Sequence, residues 1–570
     1  MALPSPLRAD EGAKLHSFFK AEWDYLMEQA PTWASQLGDR RWNDKWEDPG
    51  LAATARRLEH TRDALARLRK IDRGMLIPAD QLNYDLYAQQ CEIHLEGSKF
   101  RGELTPLTQR DGIQLADEVA DALRFETVKD YSDWIARCNA FGAYLDQTIE
   151  LMREGIRARI LQPKVTMQRV PAQIAKQMVA DPETSAFFKP FQKFPPSFPV
   201  EEREKLRAGA RRAIEQTVVP AYRRFHEFFT REYLPACFEQ VGIWQAPNGK
   251  EYYNYLARRF TTTSLKPREI HDLGLAEVKR IRAEMETVMK RTEFSGTLNE
   301  FFEHLRTDPR FFFKSGEELL AAYRAMTREI DPKLVRLFRT LPRMPYGVEP
   351  VPDKIAPDTT TAYYREPAAD GSRAGTFFAN LYKPETRPKW EMMALTLHEA
   401  VPGHHLQIAL AMEQGTLPEF RRHLHQTAYV EGWALYSEAL GDEMDLYQDP
   451  YAKFGQLTYE MWRAVRLVVD TGVHELRWTR QQAIDYFKAN APKTEQDIVN
   501  EIDRYISWPG QALAYKVGQM KIKELRTRAE ERLATKFDVR EFHDVVLLSG
   551  ALPLDVLEKR VNEWILSRQK

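Results

Sequence analysis

Apolar residues recur at helical spacing along most of the chain, and this pattern restricts the fold more than any other feature. In residues 51–71 one helical face carries apolar side chains at Leu51, Leu58, Leu65 and Leu68. Charged residues lie between them in the sequence. Such spacing is typical of an amphipathic surface helix. The same pattern recurs in three further segments, residues 201–234, 267–292 and 313–340. We therefore expect a mainly α protein.

Two segments interrupt the helical pattern. Residues 187–199, "FFKPFQKFPPSFP", are rich in proline and aromatic residues and predict a packed connector between helical groups. Residues 341–384 are the most strand-like part of the chain, where "TAYYRE" and "GTFFANLY" flank the turn-like "AADGSRAG". We expect a β-hairpin there, with an edge strand along which an extended peptide could bind through main-chain hydrogen bonds.

The same patterns divide the chain into three regions. We predict an N-terminal helical lobe over 1–190, a helical region completing the lobes over 191–340, and a catalytic region over 341–570. The last region would contain the strands, a helix with a His-Glu pair and the C-terminal helices.

Composition limits the partners and the location. Lys and Arg number 82 against 83 Asp and Glu, so no global positive field favours nucleic acid. Three widely spaced cysteines indicate neither a disulfide framework nor a cysteine zinc site. No run of apolar residues predicts a membrane span. The expected location is cytoplasmic, or periplasmic or otherwise exported if a signal peptide has been removed. No oligomeric state is predicted.

The sequence "HEAVPGHHLQ", residues 398–407, begins like the zinc-protease signature H-E-x-x-H. That signature places two imidazoles on one helical face, with the glutamate facing the water at the metal. Here Pro402 stands where the second histidine belongs, and the next histidines are His404 and His405. In a straight helix His405 would lie roughly 10 Å along the axis from His398, which is too far for one zinc ion.

Pro402 and Gly403 change this geometry. Proline removes a backbone N–H and its ring clashes with the carbonyl four residues earlier, which belongs to His398. Glycine gives the backbone freedom to complete a bend. A shortened path could bring either His404 or His405 beside His398. The chain therefore predicts a metal site built around a helix break.

A third ligand is available downstream in "TAYVEGWALYSEALGDEM", residues 427–444. Glu431 and Glu438 are seven residues apart and share a helical face. Because Glu431 is flanked by apolar residues, we expect it to be buried, and a buried carboxylate needs a partner or a metal. Two histidines and one glutamate complete a catalytic zinc site with one open position. Glu438 is the candidate for orienting an imidazole from behind.

Five segments together resemble the bacterial domain of unknown function 885 family, which is itself similar to the neurolysin-like and thermostable-carboxypeptidase-like zinc metallopeptidases. They are "HEAVPGHHLQ", "YVEGWALYSE", "RLVVDTGVHELRW", "WPGQALAYKVGQMKIKELR" and "HDVVLLSGALPLDVLE". The resemblance implies a two-lobed zincin-like helical fold with a small hairpin or sheet beside a deep cleft and one Zn²⁺ per chain. It also implies His404, which follows a glycine, and Glu431 as metal ligands with His398.

These features predict a zinc-dependent metallopeptidase that hydrolyses short, unstructured peptides, with Glu399 as the general base acting on the water at the zinc. An oxyanion donor is also needed. The resemblance favours Tyr515 for this role, and His474 is a second candidate, although it lies four residues after Asp470 and could simply bond to it.

Other assignments stay open at this stage. Arg373 is a candidate for binding a substrate carboxylate. Manganese or cobalt would suit the same ligands as zinc. The alternative functions are a zinc amidohydrolase acting on a non-peptide amide, or a catalytically silent helical binding protein.

Overall fold

A computed structural model describes residues 6–353, 356–358, 360–368, 371 and 373–569. The predicted mainly α fold with a small sheet is confirmed. The chain forms two compact units. The first runs to Val241 and includes Gln245–Gly249 and Pro418–Phe420, and the second contains Gly242–Trp244, Lys250–Leu417 and the chain from Arg421 onward.

The helices of the first unit are α1 (Pro6–Gln29), α2 (Pro31–Gln36), α3 (Leu51–Leu68), α4 (Pro78–Gly97), α5 (Val128–Ala158), α6 (Lys164–Met167), α7 (Val170–Lys176), α8 (Val200–Ala213), α9 (Val219–Phe228) and α10 (Leu234–Ala236). The remaining helices belong mainly to the second unit: α11 (Gly249–Thr261), α12 (Pro267–Lys290), α13 (Leu298–Thr307), α14 (Gly316–Ile330), α15 (Met392–Glu399), α16 (His404–Met412), α17 (Glu419–Arg422), α18 (Thr427–Ala439), α19 (Pro450–His474), α20 (Arg480–Asn490), α21 (Glu495–Ser507), α22 (Ala514–Leu533), α23 (Val539–Leu547) and α24 (Leu554–Gln569).

The first unit has an aromatic core around α5. Trp134 and Phe141 of this helix are fully buried and pack against Phe187 and Tyr222. Phe187 belongs to the proline-rich segment, whose carbonyl at this residue accepts a hydrogen bond of 2.9 Å from Trp134 Nε1. The segment is thus a packed connector, as its composition predicts.

The strands of the second unit are β1 (Tyr346–Pro350), β2 (Ala362–Arg365) and β3 (Gly375–Ala379). β3 is central, antiparallel to β2 and parallel to β1. The β2–β3 pairing confirms the predicted hairpin, although Ala369, Asp370 and Ser372 of its turn lie outside the described residues. Every residue of β3 is buried, and Phe377 packs with α14 and α15. The sheet therefore supports the helix that carries His398.

A long buried helix, α19, lies at the centre of the second unit and packs against α12, α15 and α20–α22. Every residue from Phe454 to His474 is buried. Its charged side chains therefore need partners inside the unit. Glu460, for example, accepts hydrogen bonds from Arg280 at 2.6 Å and from Lys516 at 2.7 Å, which ties α19 to α12 and α22.

Candidate metal centre

The helix that begins the "HEAVPGHHLQ" segment ends at Glu399, and a new helix begins at His404. The four residues between them reverse closely against the last turn of α15. A Cβ atom on Gly403 would lie 2.0 Å from the His398 carbonyl oxygen, so no other residue fits at this position without a backbone shift. Trp433 Nε1 of α18 donates a hydrogen bond of 2.8 Å to the Pro402 carbonyl and fixes the break.

This break brings His404, rather than His405, beside His398. The two ring centroids are 4.7 Å apart. His405 faces the sheet, where its Nε2 donates to the Met344 carbonyl at 3.0 Å and its Nδ1 accepts from the Tyr364 hydroxyl at 2.9 Å. Because both ring nitrogens of His405 are engaged, it has no lone pair to offer a metal.

Glu431 of α18 completes a group of three potential ligands. Its Oε2 atom is 3.6 Å from His398 Nε2 and 3.6 Å from His404 Nε2. The three ligand atoms all lie within 4.8 Å of one another. Zinc bonds of about 2.0–2.1 Å in a tetrahedron separate two ligand atoms by roughly 3.3–3.4 Å, so Glu431 already lies close to coordination distance from both histidines.

Close packing of two helices positions Glu431. Its neighbour Gly432 meets Gly518 of α22, where a Cβ atom on Gly518 would lie 1.8 Å from the Ala428 carbonyl oxygen. The helices can approach this closely only because both residues lack a side chain. The crossing fixes the turn of α18 that carries the carboxylate ligand.

The electrostatics of the group suit a dication. Burial lowers the pKa of His404 to about 3, so its imidazole is neutral at physiological pH. Burial alone would raise the pKa of Glu431, but its contacts with His398 and His404 hold it well below the usual range. Glu431 Oε2 and His404 Nδ1 are buried and have no hydrogen-bond partner in the described part of the chain. This donor set fits zinc.

Glu438 lies behind His398 and orients it. Glu438 is fully buried, and its Oε1 accepts a hydrogen bond of 2.8 Å from His398 Nδ1, which leaves Nε2 directed at the ligand group. Burial opposes protonation of His398, but contacts with Glu431 and Glu438 outweigh it and raise the pKa of His398 to about 9. A carboxylate on the outer nitrogen of a ligating histidine fixes its tautomer and its ring orientation.

Glu399 is the acidic residue next to His398 at the end of α15. It is 8% exposed, and its carboxylate accepts no hydrogen bond from any residue that the structure describes. Burial raises the pKa of Glu399 to about 7. A carboxyl group with such a pKa can both accept and donate a proton near neutral pH.

Tyr515 lies on α22 one turn before Gly518, and so one turn from the crossing with the helix of Glu431. Its hydroxyl accepts hydrogen bonds from Arg504 Nη2 at 3.2 Å and from Gln511 Nε2 at 3.5 Å. The hydroxyl therefore keeps its own proton available for donation. The guanidinium of Arg466 lies over the ring, 4.4 Å from its centroid.

His474 is not brought to the ligand group. It is 1% exposed, its Nδ1 accepts from the Ile243 amide at 3.1 Å, and its Nε2 donates to the Tyr505 carbonyl at 3.0 Å. Both ring nitrogens therefore hold backbone groups. The sequence suggested a hydrogen bond between His474 and Asp470, but the structure does not show one between these two described residues. Asp470 instead accepts hydrogen bonds from the Tyr253 hydroxyl and the Gly510 amide.

Arg373 lies in the connection between β2 and β3. Its Nη2 donates to the Glu366 carbonyl at 3.1 Å. Its role toward a substrate carboxylate stays a prediction.

Comparison with known protein families identifies the family of this chain. Residues 31–561 match the family described as "Bacterial protein of unknown function (DUF885)". The chain belongs to this family. A comparison with curated protein sequences finds no match.

Two solved structures resemble this DUF885 chain. One is described as a "putative lipoprotein" from Colwellia psychrerythraea, with 32% identity and a TM-score of 0.89 over 98% of this chain and 99% of that one. The other is a "putative lipoprotein of unknown function" from Shewanella oneidensis, with 16% identity and a TM-score of 0.68 over 96% of this chain and 99% of that one. The second likeness concerns the fold alone.

Sequence reasoning missed two residues near the ligands of this DUF885 protein. Tyr364 of β2 was not singled out, although it contacts His405 and lies near the His404 ring, at 6.5 Å between centroids. Arg463 was also missed, and its Nη2 is 3.6 Å from Glu438 Oε1. A signal for the arginine existed, since "MWRAVRLVV" places two charged residues in an otherwise apolar segment.

Proposed function

We propose that this protein is a zinc-dependent metallopeptidase with a zincin-like fold that hydrolyses short, unstructured peptides. The observation that carries the proposal is the convergence of His398, His404 and Glu431 within 4.8 Å, although a proline interrupts the usual ligand spacing. The adjacent buried Glu399 supports a hydrolytic role over a purely structural one. A structural metal site is normally closed by four protein ligands, whereas three leave a position open.

In this proposal zinc, when bound by these three residues, would supply a Lewis acid for the scissile carbonyl and lower the pKa of water. Glu399 takes a proton from the attacking water and delivers it to the leaving amine. Its pKa of about 7 suits both transfers. Glu438 keeps His398 oriented throughout.

Tyr515 is the proposed donor to the oxyanion. Since Arg504 and Gln511 donate to the Tyr515 oxygen, the hydroxyl proton points away from them. Donors that are fixed before the reaction stabilise developing negative charge without reorganisation. The hydroxyl would therefore act on the carbonyl oxygen as it gains charge.

β2 supplies the proposed binding edge for an extended peptide. It pairs with β3 on one side, and no described strand pairs with its other side. Tyr364 of this strand contacts His405, the residue next to the ligand His404. A peptide added to this edge would be held by main-chain hydrogen bonds, which suits substrates of varied sequence.

The proposed location is outside the cytoplasm. The description of the Colwellia protein as a "putative lipoprotein" supports the exported alternative. Among the described residues, no helix is both long enough and apolar enough to cross a bilayer.

The test of the proposed activity is Glu399→Gln. We expect hydrolysis of a mixture of unstructured peptides of five to ten residues to fall by about 10³-fold or more, because the proton carrier is lost. Bound zinc should stay at the wild-type level, since Glu399 is not among the ligands. The readouts are peptide fragments by mass spectrometry and metal content by elemental analysis. Wild-type rates in the variant would rule out the assigned role.

A further inference from the structure

Two arginines of α19 lie inside the second unit on one face of the helix. Arg463 is 5% exposed and Arg466 is 4% exposed. They are three residues apart and are therefore neighbours on the helix surface. A third arginine, Arg504 of α21, joins Arg466 at the ring and hydroxyl of Tyr515. We call these three residues the arginine row.

Part of the positive charge of the arginine row is not neutralised. Glu501 Oε2 lies 3.0 Å from Arg466 Nη2 and 3.2 Å from Arg504 Nη1. Of the carboxylates that the structure describes, Glu501 alone is within ion-pair distance of these two guanidinium groups. Two guanidinium groups thus share one carboxylate. A buried charge without a counter-charge is costly, so the arrangement favours an added anion.

The arginine row also has unused hydrogen-bond donors. Arg466 Nη1 and Arg463 Nε are buried, and neither has a hydrogen-bond partner among the described residues. Arg466 Nε and Nη2 are engaged by the Tyr505 hydroxyl and by Glu501. The free Nη1 donor therefore belongs to a guanidinium that is otherwise held rigidly in place.

The arginine row connects the ligand group to Tyr515. At one end, Arg463 Nη2 is 3.6 Å from the Glu438 carboxylate that orients His398. At the other end, Arg466 lies 4.4 Å from the Tyr515 ring centroid. An anion bound at Arg466 would thus lie beside the proposed oxyanion donor.

We propose that Arg466, supported by Arg504, binds the C-terminal carboxylate of the peptide substrate. This inference rests on the proposed peptidase function and makes the enzyme selective for peptides with a free C-terminus. Arginine suits the role because its guanidinium is always charged, and the Nη1 atom of Arg466 supplies a hydrogen-bond donor that no described residue uses. Arg466 takes the place that the sequence suggested for Arg373, whose Nη2 binds the Glu366 carbonyl.

The test measures binding rather than turnover. The Glu399→Gln protein, prepared with zinc, is titrated by calorimetry with tetra-alanine, with its C-terminal amide, and with a C-terminal amide that carries glutamate as its last residue. We expect the free acid to bind about 10- to 100-fold more tightly than the alanine amide, which is the usual value of hydrogen bonds to a charged group. The glutamate amide should bind like the alanine amide.

Arginine variants test whether the arginine row causes the preference for the free acid. Arg466→Gln, made in the same background, should remove the preference for the acid, and Arg466→Lys should keep part of it. Arg282→Gln on α12 is the matched control, since it also removes one positive charge, and Arg282 donates to the Ala489 carbonyl. This control should keep the full preference. Circular dichroism monitors folding.

Several outcomes would overturn the inference. If tetra-alanine and its C-terminal amide bind with equal affinity, the inference fails before any arginine variant is made. It also fails if folded Arg466→Gln protein keeps the full preference for the acid. A glutamate amide that binds as tightly as the acid would assign the site to an acidic side chain instead. If Arg466→Gln does not fold, Arg504→Gln takes its place, and an unchanged preference there counts against the inference. Failure of the peptidase function is distinguishable, because wild-type protein would then not cleave the acid that it binds.

Discussion

Glu399, Glu431 and Glu438 are three carboxylates of one site, and their surroundings give them different properties. Burial without a described hydrogen-bond donor raises the pKa of Glu399 to about 7. Contact with two histidines keeps Glu431 ionised. Glu438 is bonded to the outer nitrogen of His398. The raised pKa of Glu399 and the lowered pKa of Glu431 assign a proton carrier and a ligand. The hydrogen bond to His398 assigns Glu438 as the orienting group.

Asp470 is a buried acid outside the ligand group, and its pKa implies that the stability of the fold depends on pH. Burial raises the pKa of Asp470 to about 7, against about 3.9 in an unfolded chain. The folded protein therefore binds more protons than the unfolded chain between about pH 4 and pH 7. Stability from this residue is present below pH 4 and is lost as the pH rises through about 7.

Asp470→Asn should remove this loss of stability. Between pH 4 and pH 8, the free energy of unfolding of wild type should fall relative to that of the variant by up to about 4 kcal/mol. Urea titrations at several pH values measure the difference. Asp485→Asn, at an exposed position of α20, is the control and should parallel wild type. Parallel curves for wild type and Asp470→Asn would contradict the assignment.

The crossing of α18 and α22 is the element-scale feature that holds the third ligand in place. Glycines on both helices allow backbone contact at this point. Tyr515 and Glu431 both lie within one turn of the contact. A single displacement of the two helices would therefore disturb a metal ligand and the proposed oxyanion donor together.

Gly518→Ala should separate these helices. Its Cβ atom would meet the Ala428 carbonyl at 1.8 Å, so the backbone must move. We expect a loss of about 1–3 kcal/mol of stability, as for other overpacked sites, and weaker zinc retention. The control is Gly415→Ala, where an added Cβ meets nothing within 4 Å. Urea unfolding and zinc loss to a chelator provide the measurements, and wild-type behaviour of Gly518→Ala in both would refute the account of the crossing.

At the scale of the whole molecule, local sequence patterns predicted the helices and the hairpin. They did not predict the pairing of elements that are distant in the chain. Helical spacing and the hairpin follow from residues near one another in sequence. The parallel pairing of β1 with β3 does not, because the partners are 29 residues apart in register, as in Tyr346 with Gly375. Such pairings depend on the path of the intervening chain.

The candidate site divides in the same way. His398, Glu399 and Glu431 could be singled out from residue type and spacing. The choice between His404 and His405 could not be made from the residues alone, because it depends on Trp433 holding Pro402 and on Tyr364 engaging His405. These contacts join segments that are distant in the chain. His474 illustrates the opposite case, since its partners are backbone groups that no sequence pattern reveals.

The central claim is that His398, His404 and Glu431 form one zinc site, and metal content tests it most directly. Protein purified without chelators would be analysed for metals as wild type and as His404→Ala, His405→Ala and Glu431→Ala. We predict about one zinc per chain in wild type and in His405→Ala, and less than about a tenth of that in the other two variants. Wild type without bound metal, or loss of zinc in His405→Ala with retention in His404→Ala, would contradict the account.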